Sequence, residues 1–247
     1  MGRREGVMDM ASRLVLSDHE LAKMGTPVQK GVRLPLGDID KQPRRIVGGG
    51  WDELKIQGVK VDLDLVTLLL TVDNDVDNPT ESGFYVASRD RIVHYNPRDR
   101  RMKVRDASGA VEYQGDSIDG SESKDEEDET MVFDYSLLPP DVAGLVTFVN
   151  IHKQGDSPDF VQALTFDQID RPFVSSWPEG RPDQKRVTKL NDGRFAGTDT
   201  IIVKFDWRKP DGTWEEEFVE QHVAHRSEFQ GRPNAGFLSA VAPYGVG

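Results

Sequence analysis

The chain of 247 residues contains no cysteine. Disulfides, thiolate nucleophiles and thiolate zinc sites are therefore excluded, and the absence fits a reducing compartment. Long apolar runs are missing as well: nothing approaches the roughly 20 residues of a bilayer-spanning helix. The start, Met1-Gly2-Arg3-Arg4-Glu5, has two arginines with no apolar segment behind them, unlike a secretory signal. The expectation is a protein made and kept in the cytoplasm. Basic charge is also in deficit. Lys and Arg number 31 against 43 Asp and Glu, a formal net charge of −12. Such a surface repels phosphate backbones, so neither nucleic acid nor membrane is an expected partner. Cations and basic protein surfaces are.

Signatures of catalysis are absent too. There is no G-x-S-x-G, no phosphate loop and no H-E-x-x-H. Gly48-Gly49-Gly50 lacks the following Lys and Ser/Thr, so it reads as a turn or a close-packing feature. Histidines stand at positions 19, 94, 152, 222 and 225. His152 shares a strand face with Val146 and Phe148 and reads as a structural histidine. His222 and His225 could form a weak metal pair that nothing else supports. The chain reads as a non-enzyme.

What is present divides the chain into three. Residues 1–45 hold nine Lys/Arg against six Asp/Glu, a net positive arm on a negative protein. One short helix is signalled there: Ser17 and Glu20 form a capping box, Leu16 and Leu21 stand where a hydrophobic staple closes, and Gly25 and Pro27 end it. Residues 46–223 read as a β domain. Val59 to Leu65 alternates apolar and polar, the period of a half-buried strand, and the run that follows to Leu70 loses alternation, as in a strand covered on both faces. Further strand candidates are 83–86, 91–95, 131–134, 145–152, 160–166 and 200–207. Residues 200–218 read as a hairpin turning at Pro210-Asp211-Gly212. Many strands with polar turns and no crossover helices give an all-β fold, an antiparallel two-sheet β-sandwich. Residues 224–247 form a C-terminal arm punctuated by Gly and Pro, with Phe229, Phe237, Leu238 and Tyr244 between.

Acidic residues concentrate in three places. Between Asp116 and Glu129 there are eight carboxylates and one lysine, a self-repelling loop unless cations neutralise it. Calcium takes about six to eight oxygen ligands at 2.3–2.6 Å, and such a loop offers both oxygens and tight turns; a solvated acidic loop is the alternative. Asp62 and Asp64 stand two apart on a strand, hence on one face, roughly 7 Å apart at Cα, where a shared cation would relieve their repulsion. A third cluster, Asp73 to Asn78, begins like an EF-hand but has Asn78 and Phe84 where that loop needs Gly and Glu. It reads as an ordinary connection.

Taken in order, Gly48-Gly49-Gly50-Trp51-Asp52, Val61-Asp62-Leu63-Asp64, His94-Tyr95-Asn96, Gly115-Asp116 with its acidic loop, Leu138-Pro139-Pro140-Asp141-Val142 and Val149-Asn150-Ile151-His152 resemble the TerD family of tellurium-resistance and stress proteins, over about residues 46–223. The resemblance implies a β-sandwich and calcium ions held by Asp62, Asp64, Asp116, Asp125, Glu126 and Glu127. The chain departs from the family pattern at Lys60, Ser117 and Lys124, where an acid, an Asn and a Gly are usual. An insertion falls around residues 98–105.

Two functions follow as expectations. One is a calcium-binding structural module, docking on protein partners or further copies of itself through its terminal arms within an oligomeric assembly. A phage virion is the candidate assembly, because TerD-like domains resemble parts found in large phage genomes. The alternative is a cytoplasmic tellurium-resistance or stress-response protein. With no cysteine for redox work on tellurite, that role would run through partners.

Overall fold

A computed structural model describes residues 16–52, 55–56, 59–72, 84–85, 91–94, 104–115, 126–152, 159, 163–190 and 198–222. In chain order the elements are α1 (Asp18–Met24), β1 (Thr26–Pro27), β2 (Arg33–Pro35), β3 (Arg44–Gly50), β4 (Lys55–Ile56), β5 (Val59–Lys60), β6 (Leu63–Val72), β7 (Phe84–Tyr85) and β8 (Ile92–His94). There follow β9 (Val111–Gly115), β10 (Glu129–Asp134), β11 (Val142–Ile151), β12 (Phe173–Pro178), β13 (Arg186–Lys189), β14 (Thr200–Arg208) and β15 (Trp214–His222). No helix among the described residues is long and apolar enough to cross a membrane.

Two sheets face each other. One runs β1-β13-β12-β3-β10-β9; the other runs β2-β15-β14-β11-β6-β7, with β8 also pairing β6. Every pairing in them is antiparallel except β1 with β13. The architecture is the expected all-β sandwich. The aliphatic run of β6 explains its central place. Leu63, Leu65 and Leu69 enter the core between the sheets, while Val66, Leu68 and Leu70 join a second apolar cluster with Val146, Phe148 and Ile202. A strand apolar on both faces is stable only where both are covered. The expected hairpin is present as β14 and β15, with Gly212 at a positive φ of 84° in its turn. Residues 160–166 differ from expectation. The described part is no strand: Thr165 opens a 3-10 turn over Phe166–Gln168, its amide donating to Gln168 Oε1 at 3.0 Å.

The glycine run is a central strand rather than a turn. Gly48 and Gly50 leave room on the outer face of their sheet. A Cβ on Gly48 would lie 2.2 Å from Glu127 Cγ, and one on Gly50 would lie 2.4 Å from the Phe173 ring. Glycine is required here for close approach.

The described part of the N-terminal segment lies along the domain's own edges. The Ser17–Glu20 capping box forms, and Leu16, Leu21 and Met24 pack on Phe173 and Val187. Past the helix, β1 adds to β13 in one sheet and β2 to β15 in the other. The Val28 amide donates to the Val187 carbonyl at 2.9 Å and the Gly31 amide to the Phe218 carbonyl at 2.8 Å. The segment is a strap joining both sheets at one side. Beneath it lies a buried charge network: Glu216 receives Arg186 at 2.5 Å, Lys204 at 3.1 Å and Arg45 at 3.3 Å, and Lys204 also pairs with Asp206. Arg186 reaches from Glu216 to the Pro35 carbonyl of β2. Residues 1–15 and the C-terminal arm, 224–247, lie outside the described residues.

Candidate metal centre

The site is set by the register of β11 against β6. Asn150 stands opposite Asp64 and Ile151 opposite Leu63. One step further the His152 amide donates to the Asp62 carbonyl at 2.7 Å, so His152 stands opposite Asp62. Residues opposite one another share a sheet face, as do residues two apart on one strand. Asp62, Asp64, Asn150 and His152 are therefore the corners of one rectangle. His94, on β8, borders it with Nε2 4.0 Å from Asp64 Oδ2.

Within the rectangle the ligand atoms converge. His152 Nδ1 lies 2.7 Å from Asp64 Oδ2 and 3.9 Å from Asp62 Oδ2. One ligand atom from each of the three falls within 4.8 Å of the others. Asp64 is 1% exposed, and both its ion-pair partners among the described residues are imidazoles. The donor set suits a divalent cation: two carboxylates supply charge, and His152 can give a nitrogen.

A third carboxylate backs the site from the other sheet. Glu129 Oε2 accepts from the Leu65 amide at 2.6 Å. Burial pushes its carboxyl well above the ordinary range, and the charges on Asp64 and Asp62 add to this; hydrogen bonds from Tyr113 and the Leu65 amide pull the other way. Asp128 beside it accepts the Trp51 amide at 2.8 Å, and the Trp51 indole donates to the Val61 carbonyl at 3.3 Å. The Gly-Gly-Gly-Trp run thus ties the exit of the acidic loop to the strand carrying Asp62 and Asp64.

Of the six residues expected as ligands, Asp62 and Asp64 come together. Asp116 and Asp125 lie outside the described residues. Glu126 is exposed. Glu127 turns to the outer face of the first sheet, accepting from Ser175 Oγ at 2.6 Å and pairing with Lys185 at 2.5 Å. Sequence alone reads His152 as a structural histidine and gives Asn150 no role. The signal that marks them is their own spacing of two, matching that of Asp62 and Asp64.

Comparison with known proteins places the fold and the family. A family model, the TerD domain, matches residues 24–174, so the match begins inside the strap. The curated "Chemical-damaging agent resistance protein B" of Clostridium acetobutylicum is 25% identical over 111 residues, 45% of this chain and 73% of that protein. Among solved structures, a homologue of telluride resistance protein (TerD) from Streptomyces coelicolor superposes with a TM-score of 0.54 at 19% identity, covering 74% of this chain and 92% of that one. A crystal structure of a protein of unknown function gives 0.57 at 19% identity, covering 78% and 97%. These two likenesses show the fold. The family model spans more than half of the sequence: the chain belongs to the TerD domain family.

Proposed function

We propose that this chain is a non-catalytic stress-resistance protein of the tellurium-resistance type, working through a divalent cation held at one end of the sandwich. The observation that carries the reading is the convergence of Asp62 and Asp64 with His152. Repulsion between two strand-mates this close is relieved most directly by a shared cation. The two carboxylates by themselves suit a hard divalent cation such as calcium. Between the two functions that the sequence leaves open, family membership and the resistance-protein relative support stress resistance. The described strap residues bond to the chain's own sheets, so they lend no support to an outward-docking arm.

Calorimetry with calcium tests the site. Wild-type protein should bind, and Asp62→Asn/Asp64→Asn should not; equal binding by both would reject the assignment. Growth under tellurite of cells expressing either form tests the role. Protection should require the two aspartates.

A further inference from the structure

The rectangle holds more than a calcium site needs. Calcium is a hard ion that takes oxygen, whereas imidazole is a ligand of the first-row transition metals and zinc. Here an imidazole nitrogen sits within 4 Å of both carboxylates. Ligand atoms around a zinc-sized ion, each about 2.0–2.1 Å from it, stand roughly 3–3.4 Å apart. The separations of His152 Nδ1 from Asp64 Oδ2 and Asp62 Oδ2, 2.7 and 3.9 Å, bracket that spacing. An ion would enter by taking the place of the His152–Asp64 hydrogen bond.

The second observation is Asn150. It is 3% exposed, and its Oδ1 is buried with no hydrogen-bond partner among the described residues. A buried amide oxygen left unsatisfied costs about 1–3 kcal/mol. Asn150 stands directly across the ladder from Asp64, so its side chain projects from the face shared with His152. A bound cation would satisfy it.

We infer that Asp62, Asp64, Asn150 and His152 form a mixed nitrogen–oxygen site selecting a transition-metal-type divalent cation, of which zinc is the probe, over calcium. This rests on the cation reading above and specifies its ion. Calcium can occupy the carboxylates, but the nitrogen rewards only the softer ion, so zinc displaces calcium from the same place.

The test is competition on the full chain, with calorimetry of zinc and of calcium on wild type, His152→Gln and Asp62→Asn/Asp64→Asn. Wild type should bind zinc roughly a hundredfold or more tighter than calcium. His152→Gln should lose most of that preference while keeping calcium affinity. In wild type, zinc but not calcium should move the His152 Nδ1 resonance to the position of a metal-bound nitrogen in 15N spectra, a readout independent of any variant's folding. Calcium binding that needs the aspartates, with no zinc preference or with an unmoved His152 resonance, would overturn the zinc inference and leave the cation reading standing. Binding of neither ion, or undiminished binding in the double aspartate variant, would sink both.

Discussion

The backbone amide of Trp51 donates to Asp128 Oδ2 across 2.8 Å. The same tryptophan reaches Val61, next to the first metal-site aspartate, so one residue holds the loop exit and the ligand strand in register. Asp128→Ala should leave the Trp51 amide buried without its acceptor, costing about 1–3 kcal/mol, and should weaken cation binding although Asp128 lies outside the proposed ligand set. Urea melts and calorimetry on the same variant check both. Normal stability and affinity would show that the link positions nothing.

The network beneath the strap makes a prediction about pH. Burial alone would raise the Glu216 carboxyl, but Lys204, Arg45 and Arg186 outweigh it and hold the group at about 2, below its ordinary 4.5. A depressed carboxylate stabilises the fold fully above its unfolded value, and the gain is lost as pH falls from 4.5 through about 2. Burial raises Asp206, so its own contribution runs the opposite way and offsets part of the slope. Glu216→Gln should cost about 3–5 kcal/mol at neutral pH, because it leaves buried cations short of a partner. That deficit should shrink as both proteins are titrated toward pH 2. Denaturant midpoints over pH 2–7 measure it, and a deficit constant with pH would contradict the assignment.

Neighbouring glycines in β3 should respond differently to one added methyl. Gly50→Ala drives its Cβ to 2.4 Å from the Phe173 ring and 2.8 Å from the Glu126 carbonyl, whereas at Gly49 the nearest atom is 3.5 Å away on Leu65. Overpacking should cost Gly50→Ala about 1–3 kcal/mol, with Gly49→Ala close to neutral. Thermal melts of the two variants side by side decide this, and equal losses would contradict it.

Deletion of residues 1–35 uncovers the edges of β13 and β15 together. Uncovered strand edges pair with other chains. The truncated protein should therefore elute as oligomer or aggregate at concentrations where the full chain elutes at one smaller size. Size-exclusion chromatography with light scattering reads the outcome; an unchanged size would show the strap to be dispensable.

Much of the fold could be read in advance where local chemistry is emphatic. The Ser17–Glu20 box, the aliphatic run of β6 and the Pro210-Asp211-Gly212 turn each state their structure within a few residues. β3, β12 and β13 do not. Gly48 to Gly50 carries no side-chain alternation, because neighbouring side chains fill the space. In β12, Ser175 and Ser176 interrupt the apolar pattern and are satisfied by Glu127 and Arg45, partners that only the folded chain supplies. The site shows the same division. Asp62 and Asp64 announce a shared face by spacing alone. That Asn150 and His152 complete it depends on a strand register fixed by distant packing.

The strap also orders events in time. β1 and β2 leave the ribosome long before their docking strands, β13 and β15, are made. Pairings between segments so far apart in sequence are slow to form. The newborn sandwich thus waits, with one flank unsealed, until β15 has been made. Whatever guards that flank meanwhile, a chaperone or the ribosome itself, bears on how much protein reaches the finished state.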